Sequence, residues 1–142
     1  MTIFFGIGTN LGNREDNLRE ALRLLNERVG VQLACSSIYR SAPLGFESDN
    51  EFANIVVAYR TDCSAEELLL ITQQIERDMG RTHKSINGIY HDRVIDIDLL
   101  QAIQYSKNVT CNSPTLILPH PRMQERDFVM IPLREVYQVL TF

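Results

Sequence analysis

Hydrophobic and polar positions along the chain follow two periods, and the changes between them mark out six principal elements. The opening TIFFGIG is an apolar run that reads as a strand, stopped by Gly8 and the turn-forming TNLGN. Asn13 is placed to cap a helix, after which Leu18, Ala21, Leu22, Leu25 and Val29 recur at helical spacing until Gly30. From Val31 the period drops to two, through Leu33, Cys35, Ser37 and Tyr39, which predicts one long strand. SAPLGFESDN has a loop composition, and EFANIVVAYRT is a further apolar strand. Ser64 and Glu67 form the S-x-x-E capping box of a second helix, with Leu68, Ile71, Ile75 and Met79 as its buried stripe and Gly80 as its stop. RTHKSINGIYHD is polar, aperiodic and longer than a tight turn, which predicts a mobile loop. RVIDIDLLQAI then returns to a strand pattern that extends towards Tyr105. TLILPHPR gives a short strand broken by Pro119 and Pro121, and FVMIPLREVYQVL ends the chain with a short helical segment starting near Pro132.

Strand, helix, strand, strand, helix, strand is the βαββαβ order of a ferredoxin-like sandwich, an α+β fold with an antiparallel sheet and two helices on one face. No repeat, linker or low-complexity tract interrupts the 142 residues, so residues 1–142 are read as a single domain. That order narrows the fold and leaves the function open.

Composition narrows the function by exclusion. With 44% hydrophobic and 23% charged residues the chain is of ordinary globular type, and its apolar runs are too short for a membrane-spanning helix. MTIFFGIGTN has no basic segment or cleavage site of a secretory signal, so a cytoplasmic monomer with no membrane partner is expected. Cys35, Cys63 and Cys111 fit neither a disulfide framework nor a zinc site and read as packing thiols. A net charge of −4 argues against nucleic acid as a partner. The charge is also uneven. Residues 81–126 hold six Lys or Arg against four Asp or Glu, together with all three histidines, inside a chain that is negative as a whole. Cations gathered around an acidic pair suggest a polyanion bound through a metal.

That pair is Asp96 and Asp98. Two residues apart on a strand, they share one face and lie about 6.5–7 Å apart along it. Like charges that close need a cation between them, and hard carboxylate oxygens suit Mg²⁺ completed by water and phosphate. Arg81 and Arg93 bracket the polar segment and could stabilise charge on a transferred phosphoryl group. Gln73 and Glu76, one helical turn apart, present a shared polar patch that could read a nucleobase edge. His120, with Arg122 and Arg126 after a proline-fixed bend, suits phosphate or ribose contacts. Asn54 interrupts an apolar strand two residues after Phe52, and with Phe128 these could hold a flat heterocycle by its edge and faces. Taken singly, each has a bland counterpart: a solvated face, a surface arginine, a backbone-satisfied asparagine.

Together and in this order, GIGTNLGNREDNL, YRSAPLGF, FANIVV, QQIERDMGR, DRVIDIDLL and LPHPRMQERDFVMIPLREV resemble the 6-hydroxymethyl-7,8-dihydropterin pyrophosphokinases of folate biosynthesis. The resemblance is collinear over nearly the whole chain. It implies transfer of pyrophosphate from MgATP to the hydroxymethyl oxygen of the pterin, with release of AMP. It further implies two Mg²⁺ ions on Asp96 and Asp98, and Arg81 and Arg93 as the arginines that stabilise developing charge. Gln73, Glu76, His83, Lys84, His120 and Arg126 match positions near ATP. Ser41, Ala42, Leu44, Phe52, Asn54, Asp96 and Phe128 match positions around the pterin. The chain departs from the family where W-G-P-R often precedes the aspartates: IYHDR stands there, and Tyr90 is the candidate substitute for the missing tryptophan. The alternative is a protein of the same fold that binds nucleotide or pterin without catalysing transfer.

Overall fold

Apolar strands without a polar face need cover on both sides, and the computed structural model provides it. It describes residues 1–41, 51–80 and 94–140, together with the backbone of 85–86 and 89–90. The strands are β1 (Thr2–Thr9), β2 (Gly30–Cys35), β3 (Tyr39–Ser41), β4 (Phe52–Thr61), β5 (Ser85–Ile86), β6 (Ile89–Tyr90), β7 (Asp96–Gln104), β8 (Lys107–Asn108), β9 (Cys111–Asn112) and β10 (Ile117–Leu118). The helices are α1 (Arg14–Arg28), α2 (Ala65–Asp78) and α3 (Asp127–Val139), the last preceded by a 3₁₀ turn at Met123–Glu125.

The main sheet is antiparallel in the order β2-β4-β1-β7-β8, and β3 pairs with the other end of β4. β1 lies at its centre, running against β4 from Thr2↔Arg60 to Thr9↔Ala53 and against β7 from Thr2↔Ile103 to Gly8↔Asp96. Ile3, Phe5 and Ile7 point to one face, where Leu18, Ala21 and Leu25 of α1 and Leu68 and Ile75 of α2 complete the larger core. Phe4, Val56, Ala58 and Leu100 point to the other, under Val129, Leu133 and Val136 of α3. The sheet is thus the middle of three layers. Each side chain that leaves water in such a core contributes about 1.5–3 kcal/mol. Among the described residues, no helix is long and apolar enough to cross a membrane.

Several expectations need correction. The two helices expected on one face, α1 and α2, lie there together, while the C-terminal helix α3 covers the other face, so β4 is buried at nearly every position. The strand expected over 31–39 is two strands. Ser36 breaks it, its hydroxyl accepting the Val56 N–H at 2.9 Å in place of a backbone carbonyl and donating to the Ser37 carbonyl at 2.8 Å. In α1, Leu24 is buried and Leu22 only partly so. β7 begins at Asp96, and α3 begins at Asp127, with Pro132 inside it. There the proline costs the Phe128 carbonyl its usual amide donor, while its ring is buried against the sheet. Both caps are as expected: Asn13 accepts from the Asp16 N–H, and the Ser64–Glu67 box is closed in both directions. The mobility expected of 81–92 concerns residues that lie largely outside those described.

Candidate active site

The site forms on the α3 face, at the end of the sheet where β1, β4 and β7 lie side by side. Gly8 pairs with Asn54 on one side and Asp96 on the other, while Gly6 stands between Val56 and Asp98. Two strand spacings separate Asn54 from Asp96, roughly 10 Å. The two glycines keep the floor between them low. A Cβ on Gly8 would sit 3.0 Å from Asn54 Oδ1 and 3.5 Å from the Phe52 ring, and one on Gly6 would sit 3.3 Å from Leu100. Neither glycine was singled out as a site residue from sequence, although the G-x-G spacing within FGIG places both on one face of a strand.

On one side of the floor, Asn54 is 5% exposed and donates both amide hydrogens, at 3.0 Å to the Tyr39 carbonyl and at 2.8 Å to Ser41 Oγ. It therefore ties β4 to β3 and fixes Ser41 beside Phe52, its register partner. On the other side, Asp96 and Asp98 are half-buried on the floor's face, while Ile95, Ile97 and Leu99 enter the larger core. Those three anchors fix which way the carboxylates point.

The outer edge of β7 is held by the segment after β10, where the His120 N–H donates to the Leu100 carbonyl at 2.7 Å. Burial and the nearby Arg126 hold the His120 pKa below the ordinary histidine range, with Arg122 adding to the effect and the Asp96 carboxylate opposing it. Such a shift favours the neutral ring. Its Nδ1 accepts the Arg122 N–H at 3.2 Å, which leaves the ring hydrogen on Nε2. Arg126 stacks over Phe128 at 5.7 Å from the ring centroid, joining a candidate phosphate contact to a candidate heterocycle contact.

Gln73 is half-exposed on α2, but Glu76 corrects the sequence reading. It is 4% exposed, and its Oε2 accepts the Ile97 N–H at 2.9 Å. The helical spacing that placed it beside Gln73 on a polar patch did not reveal that this end of α2 packs against β7. Ala42, Leu44, Arg81, His83, Lys84 and Arg93 lie outside the described residues, as does the side chain of Tyr90.

Among the described residues, no three His, Cys, Asp or Glu side chains gather into a metal cage. Two carboxylates on one strand, over a floor kept low by glycine, fit Mg²⁺ that takes its remaining oxygens from water and phosphate. They do not fit a structural zinc site.

Known proteins resemble this chain along most of its length. A family model described as 7,8-dihydro-6-hydroxymethylpterin-pyrophosphokinase (HPPK) matches residues 4–138. The chain is 48% identical over 134 residues to a 2-amino-4-hydroxy-6-hydroxymethyldihydropteridine pyrophosphokinase of Porphyromonas gingivalis, covering 94% of this chain and 89% of that one. It is 40% identical over 136 residues to the Bacillus subtilis protein of the same name, covering 95% and 77%. Among solved structures, wild-type Plasmodium falciparum HPPK-DHPS with SDX-DHP superposes with a TM-score of 0.69 at 15% identity, over 99% of this chain. This chain spans 40% of that longer one, and at such identity the likeness concerns the fold. With half its residues shared across a near-complete relative, and with its aspartate pair inside the matched stretch, the chain belongs to the 7,8-dihydro-6-hydroxymethylpterin-pyrophosphokinase family.

Proposed function

We propose that this chain transfers the pyrophosphoryl group of MgATP to the hydroxymethyl oxygen of 6-hydroxymethyl-7,8-dihydropterin, in folate biosynthesis. The hydroxymethyl oxygen forms a bond to the β-phosphorus as its proton is released to solvent, the bond from that phosphorus to the α-phosphate oxygen breaks, and AMP leaves. The observation that carries this reading is the placement of Asp96 and Asp98 across a glycine floor from Asn54. A flat heterocycle fits between a carboxylate row and an amide row about 10 Å apart.

Asp96 and Asp98 hold Mg²⁺, with two ions expected when ATP is bound. When present, the metal neutralises phosphate charge and makes the hydroxymethyl oxygen a better nucleophile. Phe52 and Phe128 flank the pterin ring, while Asn54, Ser41 and the Ala42–Leu44 backbone meet its edge. Gln73, His83, Lys84, His120 and Arg126 face ATP, His120 through its Nε2 hydrogen. Arg81 and Arg93 stabilise the charge that grows on the transferred group. We also read the β2-β4-β1-β7 order, with α1 and α2 on one face, as the ferredoxin-like sandwich, to which α3 adds a third layer.

The test is Asp96→Ala and Asp98→Ala. Each should lower pyrophosphoryl transfer by at least about two orders of magnitude. Both variants should remain folded without metal, as melting curves would show, because Ile95, Ile97 and Leu99 anchor the strand in the larger core. Near-normal turnover in either variant would reject the assignment.

A further inference from the structure

Glu76 is a buried carboxylate outside the reacting groups named above. One edge of β7 is paired with β1 throughout, whereas the other is paired with β8 only at Ile103 and Gln104. Between those points and its start, β7 carries Asp96 and Asp98 on an edge with which no described strand pairs. Beyond Ala102, whose carbonyl accepts the Val109 N–H at 2.8 Å, two other described segments supply its backbone partners. From α2, Glu76 Oε2 accepts the Ile97 N–H at 2.9 Å, and from the bend after β10, the His120 N–H donates to the Leu100 carbonyl at 2.7 Å. Ile97 is the residue between the two aspartates, and its own side chain is locked in the larger core.

We infer that Glu76 is a positioning residue that pins the Asp96–Ile97–Asp98 step from behind, and not a nucleotide contact. This rests on the reading of Asp96 and Asp98 given above. At 4% exposure Glu76 is closed to a nucleobase. A carboxylate this buried is retained only where hydrogen bonds hold it. Its bond to Ile97 fixes the strand's rotation about its own axis, and that rotation sets the angle at which both aspartates leave the sheet. Towards Ile97 the carboxylate acts as an acceptor, and a glutamine keeps an acceptor oxygen of the same reach for that bond.

Two variants and two readouts test this. Glu76→Ala should raise the Mg²⁺ concentration for half-maximal transfer about 10- to 100-fold, the range for groups that orient metal ligands. Glu76→Gln should recover most of that loss. In metal-free protein, exchange of the Ile97 amide hydrogen should speed up about tenfold or more in Glu76→Ala and stay near wild type in Glu76→Gln. A Glu76→Gln variant as impaired in its Mg²⁺ dependence as Glu76→Ala, with Ile97 still protected, would overturn the proposal in favour of a role for the charge. Unchanged Ile97 exchange in Glu76→Ala would overturn it outright. Should Glu76→Ala not fold, the protection of Ile97 in Glu76→Gln decides alone. Wild-type protein without transferase activity would instead sink the functional reading, and the exchange arm would still report whether Glu76 pins the strand.

Discussion

Asn54, proposed above to meet the pterin edge, is also a structural residue. Both of its amide hydrogens are given to β3, at Tyr39 and Ser41, and its Oδ1 overhangs Gly8. Removing the amide would therefore do two things. The Tyr39 carbonyl and Ser41 hydroxyl would lose a buried donor, so Asn54→Ala should cost about 1–3 kcal/mol in chemical denaturation. The pterin pocket would loosen at the same time, raising the KM for the pterin while that for MgATP stays near wild type. Asn54→Asp should fare no better, since a carboxylate cannot donate to either partner. Unchanged stability in both variants would mean that the two hydrogen bonds do not hold β3 in place.

At the scale of elements, α3 does more than cover a sheet face. Glu135 reaches from its third turn to the break between β2 and β3, its Oε1 accepting the Ser37 N–H at 3.0 Å and its Oε2 the Ser37 hydroxyl at 2.9 Å. Burial and then this carboxylate push the Cys35 thiol pKa up, in keeping with a packing thiol. The clamp joins the helix that carries Phe128 to the segment just before the strand that carries Ser41, and so would set two walls of the proposed pterin site relative to each other. Glu135→Ala should lower stability by about 1 kcal/mol, a modest figure because the pair is partly in water. It should also raise the KM for the pterin several-fold with little change in MgATP binding. Melting curves and steady-state kinetics would check both, and an unaltered pterin KM would show that the two walls are set independently.

At the scale of the whole molecule, two cores share one sheet. The larger lies under α1 and α2, the smaller under α3, and β1 and β4 contribute to both. A strand buried on both sides couples what covers it, so residues 1–142 should unfold as a single domain. Leu68→Ala in the larger core and Leu133→Ala in the smaller should each cost about 2–5 kcal/mol and move the same single transition. Two separable transitions, each sensitive to only one substitution, would divide the chain.

The sequence by itself determined whatever depends on near neighbours. The caps at Asn13 and Ser64, the apolar runs of β1 and β4, and the shared face of Asp96 and Asp98 all follow from spacings of two to four residues. The resemblance carried by DRVIDIDLL and LPHPR brought the aspartates and the phosphate-facing residues within reach for the same reason, because each motif is contiguous. What tertiary structure alone decided depends on partners far away in the chain. The helical spacing of Glu76 is the same whether it meets water or the Ile97 amide 21 residues on, and only the docking of α2 against β7 separates the two. Ser36 alternates correctly with its neighbours, yet its hydroxyl finds Val56 and ends the strand. The apolar pattern of β4 requires two covered faces but does not say that a helix begun at Asp127 supplies the second. Periodicity records which side of an element is apolar, and only packing fixes what that side meets.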